Sequence, residues 1–503
     1  MPGMGTPELP VPDGLVLQPF RGVRFAVEDP AKVTSPPYDL ISDGDVDALL
    51  DSHPNNVVRL ILPCAPRTQP ATVDQPGGPP SDITATPQAT LEPHPGTPTP
   101  TPQPPKITSS PPSGTPAPLA GRYAEARDTL RAWLDSGVLV ADDGPALYVY
   151  EQSGPNVLQR GLIGDVGLAD PAQHIILPHE DVLPGPIADR LALMSTTQAN
   201  LEPIFLLYNG ENGSATNLVD DVATKRHPLV TAHTEDGLTH RLWAITEEAE
   251  IAAINSDLHS RQALIADGHH RYATYRVLQR QERARQHQTP PPSATAEPRT
   301  VDPRTVEPRT LEPATGPWDF GLALLVDSSA YPPNLQAIHR VIPGLPLTEA
   351  VSKARGSWRV RDYDDLAQGL AALEAAANPS FLLAGATGTH LLTDPDPLQL
   401  ARAMPADHSD RWNSLNTSVL SEFVLPMVWG MRDDEQTVRI VHHDTDAAVR
   451  LAIRTGGTAV ILQPLAVDDV LAVAAGGERV PRKSTSFGPK PRTGLVLRTF
   501  AIN

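Results

Sequence analysis

Cysteine is nearly absent from this 503-residue chain: Cys64 stands alone, so no intrachain disulfide can form and nothing points to an oxidising compartment. No run of eighteen apolar residues occurs, so the sequence contains no obvious membrane-spanning helix. The opening stretch MPGMGTPELPVPDG has neither a basic patch nor an apolar core of the secretory kind, and the expected location is cytoplasmic. A cationic surplus is missing as well. Lys and Arg number 40 against 59 Asp and Glu, a formal charge of −19, whereas nucleic-acid binding needs a concentrated basic face. The expected partners are small molecules, not nucleic acid or membrane.

Proline, in contrast, is abundant: 56 residues, gathered in particular stretches. The segment PRTQPATVDQPGGPPSDITATPQATLEPHPGTPTPTPQPPKITSSPPSGTPAP has almost no hydrophobic periodicity and cannot bury enough apolar area to offset its ordering entropy. A second such stretch carries the repeat PRTVD, PRTVE, PRTLE across 298–312, with too short a period for a core-burying solenoid. Residues 64–118 and 288–316 are therefore expected to be disordered inserts. They divide the chain into an N-terminal part of the core (1–63), a second block (119–287) and a C-terminal region (317–503).

The first block predicts a helix starting near Ser42 and a strand over NVVRLIL. The second predicts a helix over YAEARDTLRAWLDSGVLV, strands over ALYVYEQ, QRGLIGDVGL and PIFLLY, and a helix closed by Asn200. In the third, FGLALLVD, SFLLAGA and AVILQPL alternate with helical patterns. The intermixture points to a mixed α/β or α+β fold.

Three stretches concentrate chemistry. In ALIADGHHRYATYRVL a buried strand runs into a helix, with Asp267 at or just before its N-cap and Gly268 free to take a conformation other residues resist. A helix start offers unpaired N–H groups and the positive end of the dipole, so Gly268 with His269, His270 and Arg271 reads as a phosphate cradle. Asp267, His269 and His270 are the catalytic candidates of the turn. An acidic cap with surface histidines would use the same residues. A single metal on both histidines is disfavoured, because adjacent helical residues point about 100° apart.

In ILPHEDVLPGPIADRLALMSTTQANLEPIFLLY, Glu180 beside His179 reads as a general base or, with Asp267, a magnesium ligand, ordinary loop polarity being the alternative. The absence of a second histidine four residues on excludes the helical zinc-protease pattern. In VPRKSTSFGPKPRTGLVLR, Lys483, Ser484, Thr485 and Lys490 form a stiff basic loop suited to a phosphate or carboxylate substrate, and a solvated turn is the competing reading. IVHHD, 440–444, is the weakest candidate, since its two histidines point to opposite faces of a strand.

SPPYDLIS, HPNNVVRLILP, LYVYEQ, HEDV with DRLALMSTTQANLEPIFLLY, IADGHHRYATY, IHRVIPGL, LNTSVLSEFVLP and PRKSTSFGPKPRTGLVL occur in an order that resembles the bacterial family called domain of unknown function 1015. Its D-G-H-H-R turn is similar to that of the ParB/sulfiredoxin-like superfamily, including free serine kinases, where the turn contacts nucleotide phosphates. The resemblance implies a ParB/sulfiredoxin-like α/β core with a second mixed α/β C-terminal region, and a nucleotide-phosphate and catalytic role for Asp267 to Arg271. Glu180 and the 482–490 loop rest on their own residues and not on that likeness. The function these readings imply is a phosphotransferase moving a phosphoryl group between ADP or ATP, with Mg²⁺, and a small hydroxylated metabolite such as serine or phosphoserine. A non-catalytic nucleotide-binding switch or partition-type module is the alternative. A sulfiredoxin-like repair enzyme needs a nucleophilic cysteine beside the turn, and Cys64 lies at a linker edge.

Overall fold

The computed structural model describes residue 9 and residues 12–63, 117–288, 315–434 and 436–502. Cys64, the 298–312 repeat and nearly all of both proline-rich inserts lie outside the described residues.

Nine strands form one sheet: β1 (Leu17–Gln18), β2 (Leu147–Gly154), β3 (Val157–Gly167), β4 (Ile176–Leu177), β5 (Ile204–Tyr208), β6 (Val230–His233), β7 (Thr239–Ile245), β8 (Ala263–Asp267) and β9 (Phe320–Asp327). Their order is β4-β8-β5-β9-β3-β2-β7-β6, with β1 paired to β3. Only β4 with β8 and β5 with β9 run parallel. The apolar runs are continuous because both faces are covered: Ile204, Leu206 and Tyr208 enter one core, and Phe205 and Leu207 the other. A two-strand pair joins β10 (Asn334–Gln336) to a strand near the C-terminus, Ser486–Gly488. The second large sheet is antiparallel and contains β11 (Ile338–Ile342), β12 (Arg359–Tyr363), β13 (Phe381–Gly385), β14 (Gly388–Thr393), β15 (Arg439–His442) and β16 (Thr458–Ile461), in the order β12-β14-β13-β16-β11-β15.

Four helices frame the first sheet's working end: α1 (Asp43–Ser52), α2 (Ala117–Asp135), α3 (Pro184–Thr197) and α4 (His269–Gln288). The start of α1 follows from a capping box between Ser42 and Asp45. On α2, Tyr123, Ala126, Leu130 and Trp133 recur at helical spacing and are buried together with Val57 and Leu60. The mixed α/β architecture is thus as the intermixed patterns imply.

Several local expectations are corrected. NVVRLIL is not a strand: Val58–Ile61 is a short helix, because the Asn56 side chain accepts from Val58 N (2.9 Å) and starts a turn that buries Val57, Val58, Leu60 and Ile61 together. Thr197 ends α3, followed by Gln198 in a left-handed conformation. Asn200 instead pairs in a two-residue strand with Arg498–Thr499 and accepts from Arg498 Nη1 at 2.9 Å. The boundary at 317 does not separate the sheets either, since β9 lies between β5 and β3. Bridges from Ser35 to Thr493 and from Val23 to Leu497 carry the C-terminal segment back onto the N-terminal one. Among the described residues no helix is long and apolar enough to cross a membrane.

Candidate functional site

Strand β8 ends at Asp267, Gly268 turns the chain at φ +94°, and α4 begins. A side chain at 268 would place Cβ 2.9 Å from Ile204 Cγ2, so glycine is required both by conformation and by space. The first intrahelical bond is Tyr272 N to Gly268 O (2.8 Å), which leaves the N–H groups of His269, His270 and Arg271 without intrahelical acceptors.

Two distant segments meet this turn. Lys490 Nζ lies 2.5 Å from Asp267 Oδ1 and 2.6 Å from Asp39 Oδ2, so one ammonium bridges two carboxylates. Burial alone would lower the Lys490 pKa; Asp267 and then Asp39 outweigh it and hold it above its ordinary value. At Asp39 burial works upward, and Lys490 followed by Arg271 brings the carboxyl below its ordinary range. The Asp39 side chain is 37% exposed, against 13% for Lys490 and 11% for Asp267, so Asp39 is the one of the three that solvent reaches best. Thr493 N to Ser35 O (2.9 Å), Arg492 N to Tyr150 Oη (3.1 Å) and Gln152 Nε2 to Pro489 O (3.0 Å) fix the Lys490 loop.

Glu180 enters the same neighbourhood. Its Oε1 accepts from Thr485 Oγ1 (2.9 Å), whose oxygen also lies 2.8 Å from His179 Nε2. Burial pushes the Glu180 carboxyl up, partly offset by Thr485 and Lys483. A carboxyl with a raised folded-state pKa costs stability where it must ionise, above that pKa, and nothing where it is protonated in both states. Glu180→Gln, which keeps the contact with Thr485, is therefore expected to raise Tm at pH 8 and leave it unchanged at pH 3.5. Thermal unfolding at the two values checks this, and an equal shift at both would refute it.

The histidines differ. His269 is buried, and its Nε2 accepts from His179 N (3.2 Å). Burial, then the neighbouring His179, holds its pKa well below the ordinary value, so it is a neutral ring supporting the 178–180 loop and not a phosphate ligand through Nε2. His270 is half-buried and its Nε2 accepts from Leu183 N (3.0 Å). A neutral His270 therefore carries its proton on Nδ1, which leaves a donor beside the helix start. Lys483 is exposed, with no carboxylate in ion-pair distance among the described residues, and its charge acts on Glu180, His269 and His270.

Two further expected roles are corrected. The Arg271 guanidinium turns inward: Nη1 donates to Pro203 O (2.5 Å), Nη2 to Asp267 Oδ2 (2.5 Å), and the residue is 3% exposed. The void bounded by Arg190, Glu202 and Arg271 measures 20 Å³, room for one water and not for a phosphate. Arg271 balances the charge of Asp267 from below, near the Tyr38 ring (5.8 Å). Removing it strands buried carboxylates, so Arg271→Ala is expected to cost roughly 3–5 kcal/mol of stability. Urea unfolding checks that, and a loss below about 1 kcal/mol would restore the phosphate role. Ser484, 3% exposed, donates to Pro481 O (2.5 Å) within its own loop, which makes it a turn residue and not a substrate contact.

Sequence reasoning missed Asp39, although SPPYD places a carboxylate just after a Pro-Pro turn. His442, in the IVHHD stretch ranked weakest, has its pKa lowered to about 4 by burial and then by Lys483. A 530 Å³ cavity is lined in part by Pro36, Leu40 and Ile41, which flank Asp39, and by Arg492, two residues from Lys490. Arg492 Nε donates to Thr34 Oγ1 (2.8 Å), and no carboxylate among the described residues lies within ion-pair distance of it. Among the described residues no group of three or more His, Cys, Asp or Glu forms a metal cage.

A family model described as a protein of unknown function, DUF1015, matches residues 17–75 and 106–418. No curated protein matches the chain. Solved structures similar to it include a free serine kinase in complex with AMP (12% identity, 68% of this chain and 93% of that one, TM-score 0.32). Others are SbnI with a C-terminal truncation from Staphylococcus aureus (10% identity, 67% and 88%, TM-score 0.33) and a conserved hypothetical protein from Pyrococcus furiosus (11% identity, 68% and 97%, TM-score 0.31). TM-scores this low carry no argument about the chemistry of this chain.

Proposed function

Because the chain belongs to the DUF1015 family, whose name assigns no activity, we propose from the site itself that it is a nucleotide-dependent phosphotransferase acting on a small hydroxylated metabolite. The observation that carries this reading is the Lys490 ammonium held between Asp39 and Asp267 at the start of α4. Phosphoryl transfer asks a protein mainly for charge neutralisation, in-line positioning and a base for the attacking hydroxyl.

The residues fit a magnesium nucleotide. Mg²⁺ keeps several waters and takes only one or two carboxylates, of which Glu180, held by Thr485 through Oε1, would supply one. Bound there, the nucleotide would supply or receive the phosphoryl group. The free N–H groups of α4, His270 Nδ1–H and Lys483 are the donors that face its phosphates. Lys490 offsets negative charge between the two reactants. Asp39 accepts the acceptor's hydroxyl proton, being ionised and the best exposed of the carboxylates, whereas Asp267 is committed to Arg271 and Lys490. Glu180, bonded to Thr485, flanks the reaction as a second carboxyl. The cavity beside Asp39 has the volume of a small-metabolite site, and Arg492 lines it together with the carboxylates Asp29, Asp45, Glu235 and Asp236.

The test is incubation of the full chain with Mg²⁺, ATP or ADP and a panel of hydroxylated metabolites including serine and phosphoserine, following nucleotide conversion. Turnover with one acceptor supports the reading. Nucleotide binding without turnover on any of them favours the switch, and no binding removes both.

A further inference from the structure

One strand of the six-stranded sheet grips the loop that carries Lys483 and Thr485. Arg340, on β11, is 1% exposed, and among the described residues no carboxylate lies within ion-pair distance of it. Its Nη1 donates to Ile338 O (2.8 Å), while Nη2 donates to both Arg482 O (3.1 Å) and Lys483 O (2.9 Å). Its Nε is sealed from solvent without an acceptor. Burial lowers its pKa to about 10, which still leaves it charged at neutral pH.

A buried guanidinium with no carboxylate at ion-pair distance is costly, Asp433 and Glu180 offsetting its burial only in part, and an aliphatic side chain would fill the same interior at less expense. Its bonds indicate what it does there. The two carbonyls it holds bracket the α-carbon of Lys483, whose φ of +53° is a left-handed conformation uncommon for a lysine. Two residues on, Thr485 contacts His179 and Glu180. The register agrees: β10 pairs Gln336 with Ser486, and the continuing strand β11 pairs Ile338 with His442. One stretch of chain, 334–342, thus ties the loop to the second sheet.

We propose that Arg340 is a positioning residue: by clamping the carbonyls of Arg482 and Lys483 it sets Lys483 and Thr485 against the Asp267–His270 turn, so that the six-stranded sheet is a working part of the site. The geometry stands by itself, and the effect on ligand rests on the phosphotransferase reading.

Arg340→Met, Arg340→Gln and Arg340→Lys in the full chain test it by hydrogen exchange and by calorimetry with Mg²⁺ and ADP. In the methionine variant, amides of 482–488 are expected to exchange about tenfold faster while those of β8 and α4 keep their rates. ADP affinity is expected to fall about tenfold at a Tm within a few degrees of wild type, and lysine is expected to recover part of both. Should the methionine variant not fold, the glutamine variant, which reaches one carbonyl, carries the same comparison. Wild-type exchange over 482–488, or acceleration spread over the whole chain, would overturn the clamp. If wild type binds no ADP, the phosphotransferase reading fails, and the exchange rates still decide the role of Arg340.

Discussion

Lys490→Met is expected to reduce phosphoryl transfer by a factor of about a thousand or more. The ammonium is the only group bonded to both Asp39 and Asp267 among the described residues, and it is mostly shielded from water. Without it two carboxylates face one crevice, where they repel each other and any incoming phosphate until one of them takes up a proton. Stability falls as well, by roughly 3–5 kcal/mol, because the change strips a compensating charge from a largely buried cluster. The double variant Lys490→Met with Asp39→Asn separates the two effects. It removes the repulsion and is expected to recover much of the stability with none of the activity. Urea unfolding and nucleotide conversion measure these outcomes. A single variant that keeps its rate within about tenfold would sink the reading that Lys490 neutralises charge at the reacting centre.

Asp39→Asn is expected to lower kcat by about 10²–10⁴, the usual contribution of a general base, while ADP affinity changes by less than about threefold. The amide keeps the size of the carboxylate and loses its capacity to take a proton. In wild type, burial would raise the Asp39 pKa, but Lys490 and then Arg271 outweigh it and bring it below the ordinary range. The base therefore stays ionised through the neutral region, and the acid limb of the rate profile is expected below the usual carboxylate range. Stability follows the same sign. A depressed folded-state pKa contributes above the unfolded value and loses that contribution as pH falls through the folded one. Steady-state kinetics across pH, with the asparagine variant alongside, checks the assignment. If the acid limb persists unchanged in Asp39→Asn, another group is the base.

Much of the fold was legible because its signals are local. Continuous apolar runs marked β5, β8 and β9, Ser42 marked the start of α1, and Gly268 marked the turn into α4. The error at Val58–Ile61 has the same origin: the stretch has strand propensity, but the Asn56 side chain bonded to Val58 N and the joint burial of Val57, Val58, Leu60 and Ile61 favour a helical turn. At the site, the Asp267 turn and the basic loop were both visible as concentrations of polar residues. Asp39 was not, since a lone carboxylate in SPPYD has the composition of any surface turn.

The sequence by itself determined the strand-turn-helix at 263–288, the proline-rich division of the chain and the family likeness, because hydrogen bonding, steric limits on φ and apolar periodicity act over a few neighbouring residues. The tertiary structure alone decided which charges meet and what each one does. Asp39 and Lys490 stand 451 positions apart, and only the return of the C-terminal segment onto the N-terminal one brings them to 2.6 Å. Arg271 has the composition of a phosphate ligand, yet its guanidinium lies beneath the turn, bonded to Pro203 and Asp267. The work of a charged side chain depends on its burial and on the partners chain topology delivers, and neither is a property of the residues beside it in sequence.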